Sequence, residues 1–157
     1  MTHPVVADLV QLLQLERLED NLYRGQSRDI GTKFVFGGQV MGQALAAAQA
    51  TVDAARHVHS LHAYFLRPGD IEAPIVYSVD RTRDGRSFST RRVTAIQHGQ
   101  PICVFASSFH IEEGGVEHQI SKPEVPDPED LEPLAMPTPA VLEKLPPMMQ
   151  RWLSRQV

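Results

Sequence analysis

The chain has 157 residues, a formal net charge of −4 and an apolar fraction of 42%. This length suits one domain with a sizeable core and is short for two. The acidic balance gives no overall positive field to attract phosphate backbones, so we expect no nucleic-acid partner. No apolar run approaches the ~20 residues that span a bilayer, so we expect no membrane insertion.

The cysteine content and the first residues bear on the cellular compartment. Cys103 is the single cysteine, which excludes an intramolecular disulfide. The N-terminus lacks the basic region, apolar stretch and small-residue cleavage site of a secretion signal. Both features predict a cytoplasmic protein.

The first quarter of the chain predicts a short helix followed by a strand. Apolar residues recur at helical spacing over residues 5–13, directly behind Pro4. Over residues 15–26, Leu18, Leu22 and Tyr23 predict a strand, with Asn21 as a turn before it.

Residues 40–52 give the strongest helix signal. The segment is dominated by alanine and contains no proline. Few of its positions are polar, so we expect a helix that is buried on most of its circumference. Its small residues, including Gly42, would let a surrounding sheet approach the helix backbone closely.

Four segments rich in β-branched and aromatic residues follow this helix. Short runs of turn-forming residues separate them, such as Asp84-Gly85 and His98-Gly99. Consecutive strands with short connections form an antiparallel meander, so one early helix followed by these strands predicts an α+β fold. The predicted strands cover residues 57–66, 75–83, 87–97 and 101–112.

The composition changes after Gly114-Gly115. Eight of the twelve prolines fall between Pro123 and Pro147. We therefore predict a domain over residues 1–115 and a proline-rich linker or tail over residues 116–157. Apolar residues within 140–152 favour at most two short helical turns, because Pro146-Pro147 interrupts them.

Gly37 and Gly38 precede the long helix and form the first candidate site. A helix N-terminus presents unpaired N–H groups and partial positive charge, and glycines let a carbonyl oxygen or a phosphate reach them. The same glycines also suit a tight loop with close packing. The sequence alone favours neither interpretation.

Three histidines, His57, His59 and His62, form the second candidate. In a regular strand His57 and His59 face one side and His62 faces the other, which disfavours a three-ligand zinc site, and we expect no metal. A general base or an orienting hydrogen-bond donor is the functional interpretation. A half-buried histidine bonded to the backbone is the structural alternative.

Basic residues around the Asp84-Gly85 turn form the third candidate. Guanidinium groups bind phosphate in bidentate fashion, although a solvated face explains most such arginines. Nearby hydroxyl residues lack an adjacent base and a Gly-x-Ser-x-Gly elbow, so we expect no covalent serine chemistry. The arginines are Arg81, Arg83, Arg86, Arg91 and Arg92.

Four segments occur in a specific order along the chain. They are LYRGQS at 22–27, VFGGQVMGQAL at 35–45, VHSLHAYFLRPGD at 58–70 and RDGRSFSTRRV at 83–93. Together they resemble the first half of the acyl-CoA thioesterase II family, over roughly residues 5–119. The resemblance implies a single hotdog domain, in which an antiparallel sheet wraps a long central helix. It also implies hydrolysis of fatty acyl-CoA to fatty acid and CoA, with no cofactor.

The resemblance implies roles for individual residues. His59, in the Val-His-Ser segment, is the candidate catalytic auxiliary. The helix start is expected to line the acyl-CoA groove. The candidate substrate-binding residues are Gly37, Gly38, Gln39, Arg67, Ser87 and Arg91.

The sequence departs from the family in one respect. Members usually carry two hotdog units, and the aspartate, hydroxyl residue and glutamine that activate water belong to the second. None of the three can be assigned in this sequence. We therefore expect an N-terminal half that binds acyl-CoA without the base, and that pairs as a homodimer or with a second hotdog unit to cover its exposed sheet.

Two further interpretations stay open. One is a non-catalytic acyl-CoA-binding or dimerisation module. The other is a dehydratase-type hotdog enzyme, which would need a histidine and a carboxylate facing one another across a dimer. His59 keeps this last interpretation open.

Overall fold

The computed structural model describes residues 3–132 and 137–154. The chain divides into two units, Met1–Glu113 and Gly114–Val157. In its described residues, the first unit contains two helices and six strands, and the candidate site discussed below belongs to this unit. Its elements are α1 (Pro4–Leu12), β1 (Glu16–Glu19), β2 (Leu22–Gly25), α2 (Gly37–Gln49), β3 (Arg56–Phe65), β4 (Ile75–Asp84), β5 (Phe88–Gln97) and β6 (Gln100–Ile111).

The described strands form one antiparallel sheet in the order β1-β2-β4-β5-β6-β3. Each of the four predicted strands agrees with the observed bounds to within one residue. The predicted meander is confirmed for β4, β5 and β6, but β3 pairs with β6 at the sheet edge and not with β4, the next strand in the chain. His98 and Gly99 make the two-residue turn between β5 and β6, with φ of 48° and 70°. Positive φ at both central positions matches the right-handed twist of the flanking strands. The α+β prediction is therefore confirmed.

The segment before α2 differs in detail from its prediction. Leu18 belongs to a separate strand, β1, which pairs with β2 as a hairpin. Asn21 forms the turn with φ of 61°, a left-handed conformation that asparagine tolerates. The sequence did not predict β1 as a separate strand, because its four residues include one apolar position, Leu18, and so show no alternation of apolar and polar residues.

The central helix α2 packs its alanine-rich side into the core. It begins three residues before the predicted start and ends at Gln49. Its burial is less complete than predicted, because Gly38 and Gln49 are exposed and five other positions are half-buried. Gly42 does not face the sheet, since a Cβ there would lie 3.0 Å from Leu13 Cδ2. The buried residues of α2 are Gln39, Val40, Gln43, Ala44, Ala47 and Ala48.

A buried amide at the middle of α2 ties the first unit together. Gln43 Nε2 donates to Leu12 O at 2.8 Å and to Gln26 O at 3.0 Å. Its Oε1 accepts from the Tyr77 hydroxyl at 2.7 Å. Burial raises the pKa of Tyr77, so the phenol keeps the proton that it donates. Gly25 leaves space for this amide, because a Cβ there would lie 2.5 Å from Gln43 Oε1.

The second unit carries three short helical segments in its described residues: a 3-10 helix at Pro128–Asp130, α3 at Pro139–Leu142 and α4 at Pro147–Ser154. The prediction of at most two short helical turns is wrong, because α4 alone extends over eight residues. Pro147 stands at the first position of α4, where a proline does not interrupt a helix. Part of the predicted tail, residues 133–136 and 155–157, lies outside the described residues. No helix in the described ranges has the length and apolar content needed to cross a membrane.

Replacing Gln43 tests the role of this amide. Gln43→Leu leaves the Tyr77 hydroxyl and Leu12 O buried without their partner, so we expect a loss of about 3 kcal/mol in the free energy of unfolding, measured by urea denaturation. Gln49→Leu, at an exposed position of the same helix, is the control and should change stability by less than about 0.5 kcal/mol. Equal stability of the two variants would contradict this assignment.

Candidate functional site

A cavity of about 410 Å³ opens at the start of α2. One wall comes from the segment before α2 and its first turn, and the other comes from the end of β3 and the loop that follows. The cavity brings two of the predicted site residues, Gly37 and Arg67, to the same place. The lining residues are Phe34, Val35, Gly37, Val40, Phe65, Leu66, Arg67, Pro68, Gly69 and Ile102.

The N-terminus of α2 lies at this cavity, and it carries the positive end of the helix dipole. Phe36 occupies the N-cap and gives no side-chain hydrogen bond to the helix. The N–H groups at the start of a helix have no intrahelical acceptor, and they carry the positive end of the helix dipole. Gly37 is held against the Phe65 ring, because an added Cβ would lie 2.9 Å from Phe65 Cζ. A larger residue here would displace the ring.

Gly38 and Gln39 lie away from the cavity wall. Gly38 packs beneath the Phe36 ring and faces a second groove, against α1. Gln39 is buried, and its Nε2 donates to Gln26 O at 3.1 Å while its Oε1 accepts from Arg28 N at 3.3 Å. Of the three predicted helix-start residues, Gly37 alone is among those that line the cavity.

A buried glutamine that the sequence analysis missed holds the cavity wall in place. Gln97 Nε2 donates to Asp70 O at 2.9 Å and to Ala73 O at 2.8 Å, and its Oε1 accepts from Asp70 N at 2.8 Å. In the same loop, Gly69 O accepts a hydrogen bond from Val35 N at 3.0 Å. Gln97 therefore fixes the loop, and the loop in turn fixes the segment that leads into α2.

An exposed hydrogen bond between two side chains lies beside this loop. His98 Nε2 is 2.8 Å from Asp70 Oδ2. The backbone N–H of Glu72 and then the His98 ring lower the pKa of Asp70 below its ordinary value. Because both side chains are exposed, we assign the pair a local role in the shape of the turn.

Arg67 is placed where it can meet a ligand. Its side chain is exposed and lines the cavity, and Nη1 donates to Pro101 O at 2.7 Å. This one hydrogen bond anchors the guanidinium near the cavity, and the group has five N–H donors in all.

Arg91 conflicts with its predicted role. Its side chain is 1% exposed. All five N–H donors of the guanidinium are engaged. Nε and Nη2 donate to two residues, Thr51 and Asp84, and Nη1 donates to the carbonyl oxygens of Arg83 and Thr90. Nε donates to Thr51 Oγ1 at 2.7 Å and Nη2 to Asp84 Oδ1 at 2.7 Å. A buried, fully engaged guanidinium supports the fold and does not reach a substrate phosphate.

Ser87 also lies outside the cavity. It precedes β5, and its hydroxyl donates to Glu113 Oε1 at 2.8 Å on the surface. Neither Ser87 nor Arg91 lines the cavity. The structure therefore brings together Gly37 and Arg67 but not Ser87 or Arg91.

His59 occupies a β-bulge on the other face of the sheet. Val58 pairs with Phe109 and Ser60 with Ser108, so His59 is the extra residue between them. Its Nε2 lies 2.8 Å from Ser108 Oγ, on the face opposite the buried Phe109. His59 is thus separated by the sheet from α2 and the cavity.

The bulge also corrects the predicted orientation of the histidines. His57 pairs with His110 and His62 with Ala106, which share one face of β6, so His57 and His62 lie on the same side. The prediction that His57 and His62 face opposite sides is therefore wrong, because it holds for a strand without a bulge. Within the described ranges, no three His, Cys, Asp or Glu side chains are grouped as a metal site requires.

Comparison with known proteins identifies the family. Residues 24–110 match the family model described as the acyl-CoA thioesterase N-terminal domain. The chain belongs to this family. Acyl-CoA thioesterase 2 of Haemophilus influenzae is 48% identical over 126 residues, which cover 80% of this chain and 44% of that protein.

Solved structures agree with the family assignment. The crystal structure of an acyl-CoA thioesterase II from Mycobacterium marinum matches with a TM-score of 0.69 and 48% identity, over 77% of this chain and 45% of that one. A conserved hot dog fold protein from Alicyclobacillus acidocaldarius matches with a TM-score of 0.72 at 23% identity, over 88% and 52% of the two chains, and shows the fold alone. The hotdog fold is confirmed. The chain spans less than half the length of the curated thioesterase relative from Haemophilus.

The hydrogen bonds that Ser89 and Arg91 donate to Asp84 make the stability of the fold depend on pH. The Ser89 hydroxyl and then the Arg91 guanidinium lower the pKa of Asp84 below its ordinary value of 3.8. A lowered pKa in the folded state contributes stability above the unfolded value, and this contribution is lost as the pH falls through the folded value. Asp84→Asn should therefore be less stable than the wild type at pH 7, and the gap should narrow below about pH 4.

Urea denaturation at several pH values measures this gap. Asp130→Asn, an exposed change in the second unit, serves as the control and should follow the wild type at every pH. A gap of constant size across the acid range would show that ionisation of Asp84 does not support the fold.

Proposed function

We propose that this chain forms the acyl-CoA-binding half of a thioesterase that hydrolyses fatty acyl-CoA to free fatty acid and CoA. The observation that carries the proposal is the uncapped start of α2, which opens into a mostly apolar cavity with an arginine in its lining. The family match supports the same activity. A cytoplasmic, reducing location is part of the proposal, since Cys103 is a free and buried thiol.

The thioester carbonyl oxygen would lie at the first turn of α2. Negative charge develops on this oxygen when a nucleophile attacks, and N–H groups that are already oriented stabilise it without reorganisation. Gly37 has no side chain of its own that would stand between this oxygen and the first-turn N–H groups. Phe65, Leu66 and Val40 give an apolar wall that strengthens these interactions by limiting water.

Arg67 is the proposed contact for the phosphates of coenzyme A. A guanidinium can bind two phosphate oxygens at once through its planar donors. Its anchor on Pro101 O keeps the side chain beside the cavity. Arg91 has no part in this proposal because of its burial.

The water-activating residues would come from a second hotdog unit. None of the residues that line the described cavity is a carboxylate or a histidine, so the cavity has no base of its own. In the proposed reaction, an aspartate of the second unit takes a proton from water while the water oxygen attacks the carbonyl carbon. The carbon–sulfur bond then breaks, and the CoA thiolate leaves and takes up a proton.

Strand β3 is the proposed site of pairing with that unit. It lies at the sheet edge, has ten residues and contains no proline or lysine. Its apolar side chains Val58, Leu61 and Phe65 are 36%, 42% and 55% exposed. An edge strand of this length, with exposed apolar side chains, can pair with another strand through its free N–H and C=O groups. Phe65 also lines the cavity, so a partner at β3 would border the site.

A non-catalytic acyl-CoA-binding module is the second candidate. The missing base in the cavity wall favours it as the behaviour of the isolated chain. The two candidates share the binding step and differ in turnover, and activity and binding are therefore measured together.

Binding and turnover of the purified chain test the proposal. With decanoyl-CoA and a thiol reagent we expect no hydrolysis above background, whereas calorimetry with an S-alkyl-CoA thioether should detect binding. Gly37→Val should weaken this binding by about tenfold or more, because its side chain meets the Phe65 ring. Gly114→Val, at a glycine with open space around it, is the control. Brisk hydrolysis would contradict the missing base, and an absence of binding would contradict the substrate.

Light scattering on separated species tests the pairing edge. We expect a dimer for the wild type and a monomer for Leu61→Lys, since a buried lysine at the centre of a strand pair is costly. Leu18→Lys lies on β1 at the opposite sheet edge, where Leu18 is also 42% exposed, and should remain dimeric. A monomeric wild type, or a dimer for both variants, would argue against pairing through β3.

A further inference from the structure

The strands β3, β5 and β6 share an outer face, which is the side of the sheet that points away from α2. Side chains alternate between the two faces of a strand, so the strand register decides which of them lie on this side. The register gives four rows of three side chains. Written in the order β5, β6 and β3, the rows are Phe88, His110 and His57; Thr90, Ser108 and Ser60; Arg92, Ala106 and His62; and Thr94, Val104 and Tyr64.

A depression of about 280 Å³ lies in the middle of the outer face. On one side of it, the rings of His59, Phe88 and His110 contact one another, with centroids 5.0 to 6.2 Å apart. On the other side, the rings of His62 and Tyr64 have centroids 4.6 Å apart. Rings thus stand on both sides of a floor of small side chains. The floor residues are Ser60, Thr90, Ala106 and Ser108.

The outer face is open to solvent in the described residues. Tyr64 and Phe88 are 63% and 52% exposed, and His62 and Ala106 are exposed as well. Exposed aromatic rings around a depression are typical of a surface that binds another molecule.

The charges of the outer face favour an acidic partner. Its four rows and His59 contain one arginine, Arg92, four histidines and no carboxylate. On the neighbouring strand β4, Asp80 lies opposite Arg92, and Arg83 lies opposite Thr90. Neither arginine forms an ion pair within the part of the chain that the structure describes. Two such faces packed against each other would bring like charges together, whereas carboxylates would find free donors.

The chain itself carries an acidic segment, which we define as residues 116–132. Every residue in it is exposed, including Ile120 and Val125 at 80% and 64%. Its prolines favour an extended backbone, which loses little conformational freedom when it docks. Lys122 is its one basic residue, against six acidic residues: Glu117, Glu124, Asp127, Glu129, Asp130 and Glu132.

Pairing through β3 brings this segment of a second copy to the outer face. In an antiparallel pair of identical strands, the start of one strand lies beside the end of the other. Arg56, at the start of β3, pairs with Ile111, at the end of β6. The second copy therefore leaves its β6 about two strand spacings, or ~10 Å, from the Tyr64 end of the first copy's β3. Residues 112–115 span about 14 Å when extended, which is enough to cross this distance.

We propose, on the basis of the β3 pairing proposed above, that the outer face of each copy binds the acidic segment of the other copy. Carboxylates of the segment contact Arg92 and the hydroxyl groups of the depression. Aliphatic side chains of the segment lie against the Phe88 and Tyr64 rings. The exchange is reciprocal and closes at two copies, so it stabilises a dimer and no larger assembly.

The dissociation constant of the dimer, measured by sedimentation equilibrium on the full chain, tests the proposal. Arg92→Glu places a carboxylate where the acidic segment binds, and it should raise this constant about tenfold or more. Arg86→Glu is the matched control, because Arg86 is also exposed but lies in the turn between β4 and β5. It changes the net charge equally and should stay within about twofold of the wild type. Circular dichroism would verify that both variants fold.

A variant of the acidic segment tests the other side of the contact. Conversion of its six carboxylates to the corresponding amides should weaken the dimer about as much as Arg92→Glu does. Combined with Arg92→Glu, it should cause no further loss, because both changes remove the same contact. Additive losses would contradict a direct contact between Arg92 and the segment.

Cross-linking shows which copy supplies the segment. Arg92→Lys provides an amine for carbodiimide coupling to carboxylates, and an equal mixture of ¹⁴N- and ¹⁵N-labelled copies marks the origin of each peptide. Cross-linked peptides that combine the two labels are expected. Cross-links confined to single copies would overturn the proposal.

The outcomes separate this proposal from the proposed function. A wild-type dimer whose dissociation constant is unchanged by Arg92→Glu and by the amide variant would overturn the inference and leave the pairing through β3 intact. A monomeric wild type would overturn both, while calorimetry with the S-alkyl-CoA thioether still decides on acyl-CoA binding. Tetramers or larger species that disappear in Arg92→Glu would also contradict a reciprocal exchange between two copies.

Discussion

The packing of α2 against the sheet is the constraint on which the rest of the structure depends. Small residues on one side of the helix bring its backbone close to the strands, and Gln43 fixes its position through Tyr77 and the end of α1. A helix held in this way cannot slide without leaving buried polar groups unpaired, which costs about 1–3 kcal/mol for each group. The start of α2 is therefore a rigid point, and rigid donors are the ones that stabilise developing charge well.

Hydrogen bonds of the buried Gln97 also hold the cavity wall in position. Gln97 holds the loop after Pro68, and the loop holds Val35 just before the helix begins. The two sides of the cavity are thus connected through a buried side chain that does not touch the cavity. A ligand would meet a wall that is already formed, so that little ordering free energy is spent on binding.

Arg91 and Arg67 differ in role because one is buried and the other is exposed. Arg91 lies in the interior, where Asp84 and Thr51 compensate the cost of removing a guanidinium from water. Arg67 keeps its guanidinium exposed beside the cavity, where an anionic ligand can reach it. The described residues of the first unit also leave apolar side chains uncovered on β3 and on α1.

The sequence by itself determined the central helix and the meander of β4, β5 and β6, because turn residues, β-branched runs and an alanine-rich segment are local signals. It also determined the family, through four motifs in a specific order. It also placed Gly37 and Arg67 among the site candidates. Only the tertiary structure decided that Arg91 is buried, that His59 sits in a bulge behind the sheet, and that Gln97 supports the cavity. These properties depend on strand register and on partners distant in sequence: one extra residue in β3 changes which side chains share a face, and no local pattern encodes it.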